Sequence, residues 1–114
     1  MEIGERPWGK YFVLEETAFF KVKRIEVSSG KQLSYQYHNY RSEIWTIVQG
    51  DARVVLEGEQ IFLQNGDVIK IPIGAKHRIA NEGIEKLIFI EVQLGSYFGE
   101  DDIIRLEDDF NRAI

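Results

Sequence analysis

The chain contains no cysteine, which excludes disulfides and thiolate metal sites together. Any bound metal must therefore be held by nitrogen and oxygen. Histidine is almost as scarce, with only His38 and His77 available. An excess of positive charge is also missing: 14 Lys and Arg face 19 Asp and Glu, for a net charge of −5. That balance argues against nucleic acid as the main partner, because phosphate backbones recruit basic surfaces. A local cationic patch for a small anion is still compatible with it. No apolar run approaches the roughly 20 residues of a membrane-spanning helix. The opening MEIGERPWGK lacks the apolar core of a signal peptide. These absences predict no membrane partner and a cytoplasmic protein. The 114 residues suffice for one domain, 1–114, so any chemistry must fit inside one fold or draw on a second copy of the chain.

What is present reads as short strands between turns. Segments 19–27, 32–38, 43–49, 52–56, 60–63, 68–71, 77–81 and 86–93 carry strand-like patterns. They are punctuated by Ser28-Ser29-Gly30, Gly50-Asp51, Glu57-Gly58-Glu59, Gln64-Asn65-Gly66-Asp67 and Glu82-Gly83. Strands of this length and spacing predict an all-β antiparallel sandwich or barrel. Only the tail, about 100–113, has helical character. No repeat, linker or low-complexity segment interrupts the pattern.

Two constellations stand out. The first runs Gly30, five residues, Gln36, one residue, His38, four residues, Glu43, six residues, Gly50. The second runs Gly66, five residues, Pro72, one residue, Gly74, two residues, His77, three residues, Asn81. They resemble the two consensus motifs of the cupin superfamily, G-x5-H-x-H-x3,4-E-x6-G and G-x5-P-x-G-x2-H-x3-N. The second matches throughout; the first has Gln36 in place of the first His. The resemblance implies a single-domain double-stranded β-helix, or jelly-roll barrel, with a divalent metal on Gln36, His38, Glu43 and His77. Both histidines of the chain fall on ligand slots.

The spacing suits that role. Side chains at i and i+2 on a strand share a face, so Gln36 and His38 project together. Glu43 is expected to open the next strand, adjacent and antiparallel through a tight connection. Trp45 and Ile47 share its parity and should face inward, Trp45 as a core residue rather than a platform for a ligand. Tyr35 and Tyr37 have the opposite parity and are expected on the outside.

A narrower resemblance covers about residues 5–112. Arg6-Pro7-Trp8-Gly9, Leu33-Ser34-Tyr35-Gln36, Arg41-Ser42-Glu43, Ile71-Pro72, His77-Arg78-Ile79, Ile90-Glu91-Val92-Gln93 and the tail GSYFGEDDIIR look like the type II mannose-6-phosphate isomerase domain. In that family Gln is the normal residue at position 36. The domain often forms the C-terminal part of a bifunctional enzyme that also makes GDP-mannose from mannose 1-phosphate. The present 114 residues hold no nucleotidyltransferase domain, so that step is not expected of them alone. Two positions depart from the family: Ile44 stands where a His is usual, and Phe110 where a Tyr is usual.

The resemblance implies interconversion of mannose 6-phosphate and fructose 6-phosphate. A zinc ion on two neutral His, one amide and one carboxylate would leave a site charge of +1, suited to an anionic intermediate and a phosphorylated substrate. Arg41, placed in the connection near the barrel mouth, and Arg105, in the tail, are the expected phosphate or intermediate contacts. Arg78 and Arg112 read as surface charges. Glu91 qualifies as the proton-transfer base only if its register faces inward. Two other classes compete: a non-catalytic metal-containing sugar-binding module, and a non-haem iron dioxygenase. A homodimer is expected, with Ile44, Tyr35 and Tyr37 at or near its interface.

Overall fold

A computed structural model of the chain describes residues 2–110. Eleven strands make up the regular structure of these residues: β1 (Ile3–Arg6), β2 (Gly9–Glu16), β3 (Phe20–Val27), β4 (Tyr35–Tyr37), β5 (Arg41–Gln49), β6 (Ala52–Leu56), β7 (Glu59–Leu63), β8 (Val68–Ile71), β9 (His77–Ala80), β10 (Leu87–Gly95) and β11 (Ile104–Glu107). They form a six-stranded sheet, β1-β2-β3-β10-β5-β8, facing a five-stranded sheet, β11-β4-β9-β6-β7. The strand pairings are antiparallel throughout. This is the all-β cupin jelly-roll that the motifs imply.

Three expectations need correction. The N-terminal hairpin β1–β2 was not expected; its charged residues sit at the sheet edge and hide the alternation. The tail is a strand rather than a helix, because β11 pairs with the otherwise open edge of β4. Position 112 lies outside the described residues. Finally, β4 and β5 are not neighbours. The connection 38–40 carries the chain from one sheet to the other, so Gln36 and Glu43 face each other across the barrel.

Register explains why the interior is apolar at one end and polar at the other. Across β2, β3, β10 and β5, one row reads Tyr11, Ile25, Phe89 and Ile47. The next reads Val13, Lys23, Glu91 and Trp45, and on β3, β10 and β5 the one after reads Lys21, Gln93 and Glu43. Ile47, Phe89, Val27, Val54, Ile79 and Leu87 are fully buried and form the closed end. Burial of each such side chain stabilises the fold by about 1.5–3 kcal/mol. The polar rows lie on the same pleated face, toward the open end.

Candidate metal centre and its cavity

Three strands and one connection position the candidate donors. Gln36 on β4 lies directly opposite His77, the first residue of β9. His38 follows two residues after Gln36, and Glu43 comes from β5 on the facing sheet. All four are buried. One ligand atom from each of His38, Glu43 and His77 lies within 4.8 Å of the others. His38 Nε2 is 3.1 Å from Glu43 Oε2, and His77 Nε2 is 3.9 Å from Glu43 Oε1.

The tautomers follow from the outer partners. His38 Nδ1 lies 2.8 Å from the Asp102 carbonyl, and His77 Nδ1 lies 2.9 Å from the Ala75 carbonyl. A carbonyl oxygen only accepts, so both Nδ1 atoms donate. In each neutral ring the Nε2 lone pair then points at the Glu43 carboxylate. Two acceptors cannot hold such a contact without a proton or a cation between them. His77 Nε2 is buried with no hydrogen-bond partner among the described residues. Carbonyl-oriented imidazoles, a shared carboxylate and an orphaned buried nitrogen fit a divalent cation. Gln36 lines the same cavity as His38 and Glu43.

The electrostatics agree. Burial alone would raise Glu43, but the hydrogen bond and charge of His38, with Arg41 and His77, hold it well below the usual carboxylate range. Burial disfavours charge on His38, yet the hydrogen bond and charge of Glu43 raise its pKa overall. His77 is lowered, first by burial and then by the cations beside it, against the pull of Glu43. Trp45 is buried in the core as expected, and also donates its indole N–H to Glu43 Oε1 at 3.0 Å.

Arg41 is not in the connection. It is the first residue of β5, and its buried side chain turns inward with Glu43. Its Nε donates to Glu43 Oε2 at 2.9 Å. Arg105 pairs with Gln36 across β11 and β4 and lines the cavity. Arg78 points away from the cavity, as its parity implies, but it is not a solvated surface charge: only 13% of its side chain is exposed, and it ties the tail down through the carbonyls of Leu33 and Glu107. The inward register that Glu91 required is present. Glu91 is buried, lines the cavity and accepts from Gln93 at 2.5 Å. Burial first, then the Glu43 carboxylate, pushes its pKa up to about 7, against Lys23 and Arg41.

Sequence reasoning missed three participants. Lys23 is buried on the cavity wall; it shares the parity of Ile25 and Val27, but Val22 has the opposite parity and blurs that signal. Arg6 lines the cavity from β1 and stacks 4.9 Å from the Tyr11 ring centroid. Residues 96–103 cross the mouth. There the Asp102 carboxylate accepts from the Asn39 and Tyr40 amides, and Glu100 enters the cavity wall. Only the family-like tail hinted at this segment. β10 can run this close to Arg41 because Gly95 carries no Cβ; one would overlap the Tyr40 carbonyl. The cavity, open at its mouth, measures about 60 Å³. Among the described residues, no helix is long and apolar enough to cross a membrane.

Comparison with known proteins gives a consistent picture. Residues 2–108 match the family described as mannose-6-phosphate isomerase C-terminal. The chain is 46% identical over 108 residues to mannose-1-phosphate guanylyltransferase ManC of Salmonella typhimurium, covering 95% of this chain and 22% of that protein. It is equally 46% identical over 108 residues to the alginate biosynthesis protein AlgA of Pseudomonas aeruginosa, with 95% and 22% covered. The chain thus spans less than a quarter of the length of these relatives. Among solved structures, Lactobacillus farciminis oxalate decarboxylase superposes with a TM-score of 0.80 at 28% identity, over 92% of this chain and 33% of that one. A provisionally assigned sugar phosphate isomerase from Acidithiobacillus ferrooxidans gives a TM-score of 0.62 at 26% identity, over 67% and 50%.

Proposed function

Because the chain belongs to the mannose-6-phosphate isomerase C-terminal family, we propose that it is a metal-dependent aldose–ketose isomerase that interconverts mannose 6-phosphate and fructose 6-phosphate. The observation that carries the reading is one cavity lined by the ligands Gln36, His38 and Glu43, a buried carboxyl titrating near neutrality, and several cations. His77 closes the ligand set from behind.

The isomerisation moves a proton from C2 of the aldose to C1. Protonation at O1 accompanies the first transfer, and loss of the O2 proton accompanies the second, through an enediol. Glu91, poised at about pH 7, is the group we assign to the carbon-bound proton, since a base near the working pH is the most effective. Zinc or another divalent ion, when bound, would act as a Lewis acid toward the developing oxyanion. Gln36, His38, Glu43 and His77 would hold it. Arg41 holds Glu43 in its ionised, ligand-ready form. Arg105 lies at the wall where a substrate anion would pass.

A coupled assay on zinc-reconstituted protein with several hexose 6-phosphates tests this. Turnover above a zinc-only control is expected, lost with a chelator and restored by metal. Stoichiometric zinc with mannose 6-phosphate bound and no isomerisation would establish the binding-module class instead.

A further inference from the structure

The cavity holds a cation that the metal centre does not use. Lys23 lies on the inner face of β3 with only 4% of its side chain exposed, 4.3 Å from the Tyr11 ring centroid. A buried ammonium requires an anionic partner. None of the wall strands supplies its closest one. Glu100, from the segment crossing the mouth, accepts from Lys23 at 2.8 Å through Oε1 and is itself one-third exposed. Its second oxygen, Oε2, stands 3.8 Å from Arg41 Nη1. That is beyond hydrogen-bonding range, and both atoms are buried without a hydrogen-bond partner among the described residues. The carboxylate therefore satisfies Lys23 and leaves Arg41 Nη1 short, while Arg41 Nε is held by Glu43.

A phosphate group has more acceptor oxygens and more charge than a carboxylate, and so suits two donors set apart in this way. Space gives a second argument. A cavity of about 60 Å³ is far below the roughly 300–1,000 Å³ of ligand pockets, so a ligand must displace something on entry. Glu100 is one of the partly exposed side chains of the cavity wall, and it already sits between the two cations.

We propose that Lys23, together with Arg41, is the seat for a phosphate-class group of the ligand, and that Glu100 occupies the seat as an internal stand-in that the ligand displaces. The proposal rests on the sugar-phosphate reading for its ligand class. Calorimetric titration of the zinc-loaded protein with inorganic phosphate, mannose 6-phosphate and mannose tests it, with a parallel phosphate titration on metal-free protein to separate binding at the metal. Glu100→Gln keeps the shape and removes the competing charge, and should tighten phosphate about tenfold. Lys23→Met should weaken phosphate and mannose 6-phosphate at least tenfold, while Lys23→Arg retains most of the affinity. Mannose binding should not move in any variant. Unchanged or weaker phosphate binding in Glu100→Gln overturns the proposal, as does full affinity in Lys23→Met. Should Lys23→Met fail to fold, the Glu100→Gln and Lys23→Arg arms decide. Shifted phosphate binding without turnover refutes the isomerase reading alone; turnover with unshifted binding refutes the seat alone.

Discussion

Replacing Glu91 by Gln in the metal-free protein tests the electrostatics of the cavity directly. The carboxyl is fully enclosed and its pKa is raised from an ordinary 4.5 to about 7. Below pH 4.5 it is protonated in both folded and unfolded chains and contributes nothing to pH dependence. Between pH 4.5 and 7 the unfolded chain gives up the proton while the folded chain keeps it, so the folded state loses stability as pH rises. Above pH 7 the whole penalty is present, and the shift corresponds to about 3 kcal/mol. Glutamine keeps the acceptor that Gln93 uses and never ionises. Glu91→Gln should therefore match wild type near pH 4.5 and exceed it in stability by about 3 kcal/mol near pH 8. Urea unfolding followed by fluorescence of the buried Trp8 and Trp45 reads this difference at each pH. Taking the difference cancels the opposite trend from Glu43, whose depressed pKa contributes stability that is lost as pH falls. A difference that is flat from pH 5 to 8, or that favours wild type at high pH, would refute the argument. The same variant should lower isomerase kcat by about 10²–10⁴-fold, the usual contribution of general-base catalysis.

Three more outcomes follow from the geometry. His77→Ala should leave only background zinc by elemental analysis, and should lose the stabilisation of about 2.7 kcal/mol that wild type gains at a hundred times Kd. Trp45→Phe removes the indole donor to Glu43 and should weaken zinc about 10–100-fold in competition with a chelating dye; unchanged affinity would contradict the role of that hydrogen bond. Light scattering at micromolar concentration should give twice the 13.3 kDa chain mass. Ile44 lies on the outer face of the six-stranded sheet and Tyr35 and Tyr37 on that of the five-stranded sheet, so one two-fold contact takes one group or the other. Cross-linking at each position distinguishes them.

How far the sequence carries depends on which interactions are local. The strands from 19 to 93 and the inward parity of Gln36, His38 and Glu43 follow from period-2 alternation and turn residues, both local signals. The partition of β4 and β5 into different sheets does not, because a three-residue connection can close a hairpin or cross a barrel. In β3, Val22 has one parity while Ile25 and Val27 have the other, so the apolar pattern alone is ambiguous for Lys21 and Lys23. The tail reads as weakly helical from its local sequence; pairing with β4 overrides that preference. Glu100 and Asp102 reach the site through contacts roughly sixty or more residues apart in sequence, which no spacing rule encodes.

The hydrogen bond from His38 to the Asp102 carbonyl also bears on the order in which the protein is made. Synthesis has produced every donor of the ligand set once residue 77 is joined. The atom that fixes the His38 ring is added twenty-five residues later, in a segment outside both motifs. A chain broken off between these points carries all four donors and lacks the carbonyl that orients one of them. A metal held by these donors would therefore be gripped at full strength only once residue 102 has been joined and its carbonyl has fixed the His38 ring.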